Sequence, residues 1–542
     1  MNRLYYGDNL DVLREYIPDE SVDLIYLDPP FNTRRGYNVI YKTPKGHESQ
    51  AQITAFRDTW VWGDQSEREY REIRKSSYTE VAEMITAMRR FLDESDVMAY
   101  LVMMTRRLME LHRVLKSSGC MYLHCDPTAS HYLKIVLDAI FGKMHFSNEI
   151  IWKRTTTKSD YKQGAMNLPR VHDVILMYYK DVKARHVFNQ PFAEYDQEYI
   201  DEFYRYTDEN GRRYALDNLA APGRGERGHP KYEFLGVERF WRYSKAKMEE
   251  LLAQGRIVQA RPGAVPRYKR YLDEMPGFPI TDVWTDIGPV QGQSREFLGY
   301  STQKPLKLLE RIITMSSNEG DVVLDPFCGC GTAVHAAEKL NRQWIGIDIT
   351  HQAIMLIENR LRDAFPEIVF EVHGRPKDLE GARDLARRDK YEFQWWACYL
   401  IGAQPYQGKK KGADQGIDGL IYFTDVADGR PVDRKIVVSI KGGENVGVSM
   451  IRDLIGTVES NGAEIGLFVT LAEPTQPMIT EAAKAGFYTA GNGRDYPRIQ
   501  ILTIDDLLSG RKRPEYADMS LGEATFKKAS VEKPSAEQNS LF

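Results

Sequence analysis

The sequence predicts an α/β fold, a doubly wound and mostly parallel sheet broken by an insert, followed by a second, smaller α/β domain. Three observations carry this reading. Short runs of Val, Ile, Leu and Tyr without polar alternation read as strands buried on both faces. These runs alternate with stretches of helical apolar spacing, the order that builds parallel sheets. At 542 residues the chain is also too long for one hydrophobic core, so two or three domains are expected.

Taken in order, Arg3 to Tyr6 is a strand ending in Gly7-Asp8-Asn9, and Leu10 to Tyr16 has helical spacing before the turn Pro18-Asp19-Glu20. Val22 to Leu27 is a strand buried on both sides. A polar, aromatic-dotted segment from Asn32 to about Tyr78 lacks periodicity and reads as a loop. The next helix runs from Tyr100 through Leu115, with Leu101, Met104, Leu108, Leu111 and Leu115 on one face and Ser117-Ser118-Gly119 as its stop signal. Cys120 to His124 is a strand, Ala129 to Phe141 a helix, and strands near Ile150 to Trp152 and Asp173 to Tyr179 complete this half. The rhythm resumes at the helix Pro305 to Met315, the strand Val322 to Leu324, a helix ending at Leu340 and the strand Gln343 to Ile347.

Charge and composition narrow the function classes. The formal net charge of -4 excludes a uniformly basic nucleic-acid binder, so any basic surface is local. Residues 1 to 30 hold no cationic start followed by an apolar core, and no apolar run is long enough to span a bilayer, so a cytoplasmic protein without membrane partners is expected. Cys120, Cys125, Cys328, Cys330 and Cys398 form no C-x-x-C pair and have no matching His spacing, which argues against zinc and against a disulfide framework. No G-x-x-x-x-G-K-[ST] motif occurs, so no ATP motor is expected on this chain.

Asp28-Pro29-Pro30-Phe31 follows the buried strand. The prolines fix φ and remove two backbone donors, so nearby carbonyls meet no local N–H competing for them. The Asp28 carboxylate and the Pro29 carbonyl can then both accept from one planar amino group while Phe31 stacks on the attached ring. On its own, the motif is as well explained as a strand-ending turn. A second motif decides between the two. The loop Asp325-Pro326-Phe327-Cys328-Gly329-Cys330-Gly331-Thr332, a helix and a strand ending at Asp348 give the order that holds an adenosine-bearing cofactor, with Gly329 and Gly331 allowing close backbone approach and Asp348 placed for two ribose hydroxyls. The turn lacks a third glycine and the lysine of a phosphate cradle, which favours an adenosine ligand without phosphate over NAD or ATP.

Between the motifs, Ala221 to Tyr271 carries twelve Lys or Arg against five Asp or Glu, interleaved with Tyr232, Phe234, Phe240, Trp241, Tyr243, Tyr268 and Tyr271. A basic, aromatic insert in an acidic chain suits phosphate and base contact. Toward the C-terminus, Asp418 enters a strand and Lys441 ends the strand Lys435 to Lys441, the arrangement of phosphodiesterases in which the acid binds Mg2+ and the lysine stabilises charge near the phosphate.

Asp28 to Phe31 together with Asp325 to Thr332 resembles the amino-methyltransferases of DNA that use S-adenosylmethionine. With the catalytic motif first and an insert between, the order is that of the β class, which includes type III modification subunits. Gly7-Asp8, Ser21-Val22-Asp23-Leu24, His172-Asp173 before Leu176 and Tyr178, and Thr302-Gln303-Lys304-Pro305 agree, and the resemblance covers roughly residues 1 to 365. It implies a Rossmann-like fold with permuted motif order. It also implies that Asp28 and Pro29 accept from the target amine, Phe31 stacks on the base, and Asp325, Phe327, Gly329, Gly331 and Thr332 line the cofactor. Asp348 would take its ribose, with Asp8, Thr302, Gln303 and Lys304 close by. Asp at the first motif position is usual for adenine and Ser for cytosine, so methylation of the adenine 6-amino group in double-stranded DNA is implied, after base flipping; the cytosine 4-amino group is the alternative. The C-terminal region resembles the Mrr-like branch of the PD-(D/E)xK nucleases, with Asp418 as metal-binding acid and Lys441 as lysine. Ser439 replaces the usual Glu, Asp or Gln and is a weak ligand, and Asp414 is a further candidate.

The expected organisation is a catalytic half at 1–184, a recognition insert at 185–285, a cofactor half at 286–376, a charged helical linker at 377–390, a nuclease-type domain at 391–510 and a disordered tail at 511–542. The expected function is a fused modification and restriction enzyme. A methyltransferase whose C-terminal domain only binds DNA or a partner protein, and a non-catalytic subunit that senses S-adenosylmethionine, are the competing readings. Oligomeric state stays open, with a homodimer allowed for.

Overall fold

The computed structural model describes all residues except 31–35, 43–47, 58–59, 156–165, 167, 222–227, 295, 301, 407–415, 428–429 and 518–542, and of 36–42 and 48–57 only the backbone pairing is described. Phe31 and Asp414 therefore lie outside the described residues.

The main sheet has the strand order Val283–Trp284, Phe146–Lys153, His172–Tyr179, Leu115–Cys125, Val22–Leu27, Val322–Asp325, Gln343–Asp348, Arg3–Tyr6, Glu371–His373. Neighbours run parallel except around His172–Tyr179, which is antiparallel to both strands beside it. Continuous apolar runs form these strands because both faces are covered: Leu24, Ile25, Leu27, Met121, Leu123, Leu324 and Ile347 are fully buried. Among the described residues, no helix is long and apolar enough to cross a membrane.

Several expectations are corrected. The segment read as a loop to Tyr78 contains the helix Asp64–Lys75, with the helix Thr79–Leu92 directly after it. The first buries only Tyr70 and Ile73 and is otherwise charged, so it shows little apolar period. The long helix Asp96–Val114 ends before Ser117-Ser118-Gly119, which lies inside the strand Leu115–Cys125. Gly119 is there for close approach: a Cβ at this position would stand 2.8 Å from the Asp23 carbonyl oxygen of the neighbouring strand. The charged stretch read as a helical linker is indeed the helix Leu379–Arg388, but its Ala382 and Leu385 join the C-terminal core. The first residues of the expected tail are ordered: Gln500 exchanges two hydrogen bonds with the Glu515 backbone and Ala517 is buried. The rest of that tail lies outside the described residues.

The C-terminal region builds a second sheet in the order Gln404–Pro405, Gly419–Ala427, Arg430–Lys441, Ile465–Thr470, Ile499–Thr503. One face packs on Phe393, Trp396 and Leu385. The other packs on the helix Val448–Ser460, in a cluster that also takes in Tyr300, Cys330 and Leu356 from beside the main sheet. The two sheets thus share one hydrophobic cluster, reinforced by hydrogen bonds from the Tyr6 hydroxyl to Glu392 (2.8 Å) and from the Tyr399 hydroxyl to Glu358 (3.0 Å).

Residues Gln190–Thr281 form a unit of their own. It contains the sheet Ile257–Val258, Arg267–Tyr271, Arg213–Asn218, Tyr206–Thr207, the hairpin Lys231–Phe234 with Val237–Phe240, and a small core around Trp241, Met248 and Phe234. Part of its positive charge is neutralised locally: Arg256 pairs with Glu274, Arg270 with Asp217, Lys231 with Glu238 and Lys247 with Glu250. Arg239, Arg242, Lys245, Arg261 and Arg267 are exposed.

Candidate active site

Strand pairing creates the site. Val323 pairs with Leu24 and Leu324 with Ile25, so the residues that follow both strands, Asp28-Pro29-Pro30 and the Asp325 loop, emerge together at the carboxyl ends of the sheet, where open α/β sheets bind ligands. A cavity of about 480 Å³ opens there. It is lined by Asp28, Pro29, Pro30, Asp325 to Cys330, Thr332, Asp348, Asp8 and Thr302 to Lys304.

The cofactor loop is held from within. Asp325 Oδ1 accepts from the Phe327 N–H at 3.0 Å. Asp348 Oδ2 accepts from the Gly329 N–H at 2.9 Å and its Oδ1 from the Thr350 N–H and hydroxyl, both at 2.9 Å. Burial pushes the Asp325 carboxyl up to about 8, with Asp28 and Asp348 adding to the rise, and pushes Asp348 up to about 6 against its N–H donors. Asp8 caps the first helix through the Leu10 N–H and pairs with Arg107 at 2.9 Å, while Arg107 Nε donates to Asn9 Oδ1 at 2.6 Å and Asn9 donates to the Pro326 carbonyl at 2.8 Å.

One expected role changes on inspection. Gly331 does not line the cavity; its φ of +76° and a Cβ that would meet Ile357 Cγ1 at 2.8 Å make it a packing and turn glycine. Lys304 lines the cavity near the cofactor loop, as expected, and its ammonium also contacts Asp28 Oδ2. Gln303 serves the loop, donating to the Glu296 carbonyl at 2.7 Å and accepting from the Leu298 N–H at 2.9 Å. The cavity also takes in Tyr26, Trp60, Arg107 and Tyr300, which sequence reasoning missed. Arg107 had one signal, an arginine pair at 106 and 107 between the apolar positions Met104 and Leu108.

Residues 22–359 match the family model described as DNA methylase. The chain belongs to the DNA methylase family. It is 31% identical over 352 residues to the type II methyltransferase M.EcaI of Enterobacter cloacae, covering 64% of this chain and 66% of that relative. It is 27% identical over 362 residues to the Mod subunit of the type III restriction-modification enzyme StyLTI of Salmonella typhimurium, covering 63% and 50%. The matches thus span half to about two thirds of these relatives' own lengths. A solved M1.HpyAVI complex with SAM aligns over 67% of this chain and 100% of its own at 16% identity and a TM-score of 0.31. Residues 385–508 of the methylase match a second family model, described as restriction endonuclease.

The donor set of the methylase cavity fits S-adenosylmethionine. Its wall presents Asp8, Asp28, Asp325 and Asp348 against Arg107 and Lys304, and each of those cations is already paired with one of the aspartates. The sulfonium, the ammonium and the ribose hydroxyls of that ligand complement the aspartates, and its carboxylate is the one group that needs Arg107 or backbone N–H groups.

In the C-terminal region, Asp418 accepts from the Ile440 N–H at 2.7 Å and from the Gln394 amide at 3.0 Å, and Lys441 lies 3.7 Å away. The structure therefore brings Asp418 and Lys441 together, with Gln394 as a partner that sequence reasoning missed. Ser439 is buried one residue before Ile440 and adds no charge. Among the described residues no group of three or more His, Cys, Asp or Glu could hold a metal ion. Each Asp418 oxygen uses one of its two lone pairs in these hydrogen bonds, and Asp414, the other candidate ligand, lies outside the described residues.

Proposed function

We propose that the methylase transfers the methyl group of S-adenosylmethionine to an exocyclic amine of a base in DNA, the adenine 6-amino group being favoured by Asp28. The observation that carries this is the single cavity in which the amine-accepting Asp28-Pro29 and the cofactor loop Asp325 to Gly329 stand side by side. S-adenosylmethionine held by the Asp325 loop and Asp348 would supply an electrophilic methyl group on its sulfonium, and the amine held at Asp28 and Pro29 would supply the lone pair that takes it. Asp28 Oδ1 and the Pro29 carbonyl hold the amine protons and so direct the lone pair toward the methyl group, an effect of positioning and electrostatics. Base stacking by Phe31, which lies outside the described residues, is carried over from the family resemblance alone. The exposed Arg239, Arg242, Lys245, Arg261 and Arg267 of the insert support contact with duplex phosphates.

Incubating unmethylated bacteriophage DNA with tritiated S-adenosylmethionine should give methyl transfer that is lost in Asp28→Ala. Nucleoside mass spectrometry should show N6-methyladenine; N4-methylcytosine alone overturns the choice of base.

For the C-terminal domain, the approach of Lys441 to Asp418 supports the nuclease reading, and a domain that binds DNA or a partner protein without cutting is the alternative. Cleavage of unmethylated DNA in Mg2+, present in the wild type and absent in Asp418→Ala, would establish a fused restriction enzyme.

A further inference from the structure

Lys304 sits on a loop that is fixed before its side chain does anything. Gln303 makes two hydrogen bonds to the 296–298 backbone, the Leu306 N–H donates to the Glu296 carboxylate at 2.6 Å, and Pro305 locks φ at -62° just before the helix Leu306–Ser316. On the facing strand end, Pro29 restricts the chain after Asp28 in the same way. Two rigid backbones thus present a mostly buried ammonium and a mostly buried carboxylate, 12% and 17% exposed. The ammonium engages Asp28 Oδ2, while Asp28 Oδ1 is buried and has no hydrogen-bond partner among the described residues.

We infer that Lys304 is a positioning residue for Asp28: it holds one carboxylate oxygen and thereby fixes the other, Oδ1, as the unpartnered acceptor for the target amine. This rests on the methyl-transfer reading above and assigns a division of labour within the carboxylate. A carboxylate free to rotate would present either oxygen at either angle, whereas one clamped at Oδ2 presents Oδ1 in one place, which is the geometric condition for a hydrogen bond that orients a lone pair. Contact with the cofactor predicts a different behaviour. An ammonium directed at a sulfonium ligand would meet like charge, and the pairing with Asp28 keeps Lys304 at the amine end of the cavity.

The test compares full-length wild type, Lys304→Gln and Lys304→Arg on unmethylated bacteriophage DNA with tritiated S-adenosylmethionine. It reads the single-turnover rate at saturating cofactor, the cofactor Kd by calorimetry, and the melting temperature. Lys304→Gln should lower the rate by about 10- to 100-fold with the cofactor Kd within about twofold, and Lys304→Arg should recover at least part of that loss. Because Asn keeps an amide oxygen as acceptor and has no charge for Lys304 to clamp, Lys304→Gln should cost less than about threefold in an Asp28→Asn background. A rise in cofactor Kd with an unchanged rate would make Lys304 a cofactor ligand and overturn the inference. An unchanged rate and Kd, or an equal loss in the Asp28→Asn background, would overturn it too. If Lys304→Gln does not fold, the comparison of Lys304→Arg with wild type in both backgrounds decides in the same way. Absence of any methyl transfer by the wild type would defeat the methyl-transfer reading itself, a result separate from these.

Discussion

Cofactor binding should tighten steeply with pH between 6 and 8, and Asp325 is the reason. Burial raises its carboxyl from an ordinary value of 3.8 to about 8, with Asp28 and Asp348 contributing, so near neutral pH the unliganded protein holds this group mostly protonated. A cationic ligand pairs with the ionised form. Roughly one molecule in a hundred carries that form at pH 6, one in ten at pH 7 and one in two at pH 8, so Kd should fall about tenfold, or about 1.4 kcal/mol, from pH 6 to 7 and about fivefold from pH 7 to 8. Asp348, raised to about 6, should steepen the slope below pH 6. Above about pH 8 the amino group of the ligand loses its own proton and the curve should turn over. The sign for stability follows from a folded value above the unfolded one: the contribution of Asp325 is fully present below about pH 4 and is lost as pH rises through 8. Unliganded protein should therefore melt lower at pH 8 than at pH 6 from this group, while stabilisation by the cofactor grows. Calorimetry at pH 6, 7 and 8 in buffers of different ionisation heats measures both the slope and the proton released. Asp325→Asn, which cannot titrate, should flatten the profile. A Kd independent of pH over that interval in the wild type, with no proton release, would refute the reasoning.

Three further outcomes are expected. Gly331→Ala should lower the melting temperature by several degrees, because φ of +76° and the 2.8 Å approach to Ile357 together cost about 1–3 kcal/mol, while direct contacts to the cofactor stay unchanged. Ser439→Glu should place a second carboxylate beside Asp418 and tighten Mg2+ binding by about tenfold in calorimetric titration; no change would mean that Asp418 is not accessible to metal. A chain ending at residue 376 should melt lower or aggregate and bind cofactor more weakly, since it strips the apolar cover from Tyr300, Cys330 and Leu356 and removes Glu392 and Tyr399 from Tyr6 and Glu358; cofactor affinity equal to that of the full chain would show the two sheets to be independent.

Legibility in the sequence followed the locality of the signal. Val22 to Leu27 and the Asp325 loop could be read because burial on both faces and the turn chemistry are written into consecutive residues. The helix Asp64–Lys75 could not, because Tyr70 and Ile73 are its only buried residues and the rest is charged or polar. Ser117-Ser118-Gly119 misled for a different reason: its residues are stop signals locally, and only the neighbouring strand explains why glycine stands at 119. Arg107 was unreadable because an arginine on an apolar-spaced helix ordinarily extends its charge to water, and its partners Asp8 and Asn9 lie almost a hundred residues away. Likewise the pairing of Lys304 with Asp28 spans 276 residues and exists only once the sheet has formed.

The permuted order of the motifs matters little to the chemistry for the same reason. The Val322 N–H donates to the Asp23 carboxylate across 299 residues, and the two strands then lie side by side whichever is made first. That juxtaposition has a cost, since it gathers Asp8, Asp28, Asp325 and Asp348 around one cavity. The fold offsets three of the four: Arg107 answers Asp8, Lys304 answers Asp28, and the Gly329 and Thr350 N–H groups answer Asp348. Asp325 receives one N–H and is pushed up to about 8, above Asp348 at about 6, so of these two the less compensated carboxyl is the first residue of the cofactor loop. A site left short of positive charge at one buried carboxylate is a site that selects a cationic ligand, and that is the property a methyl donor bearing a sulfonium requires.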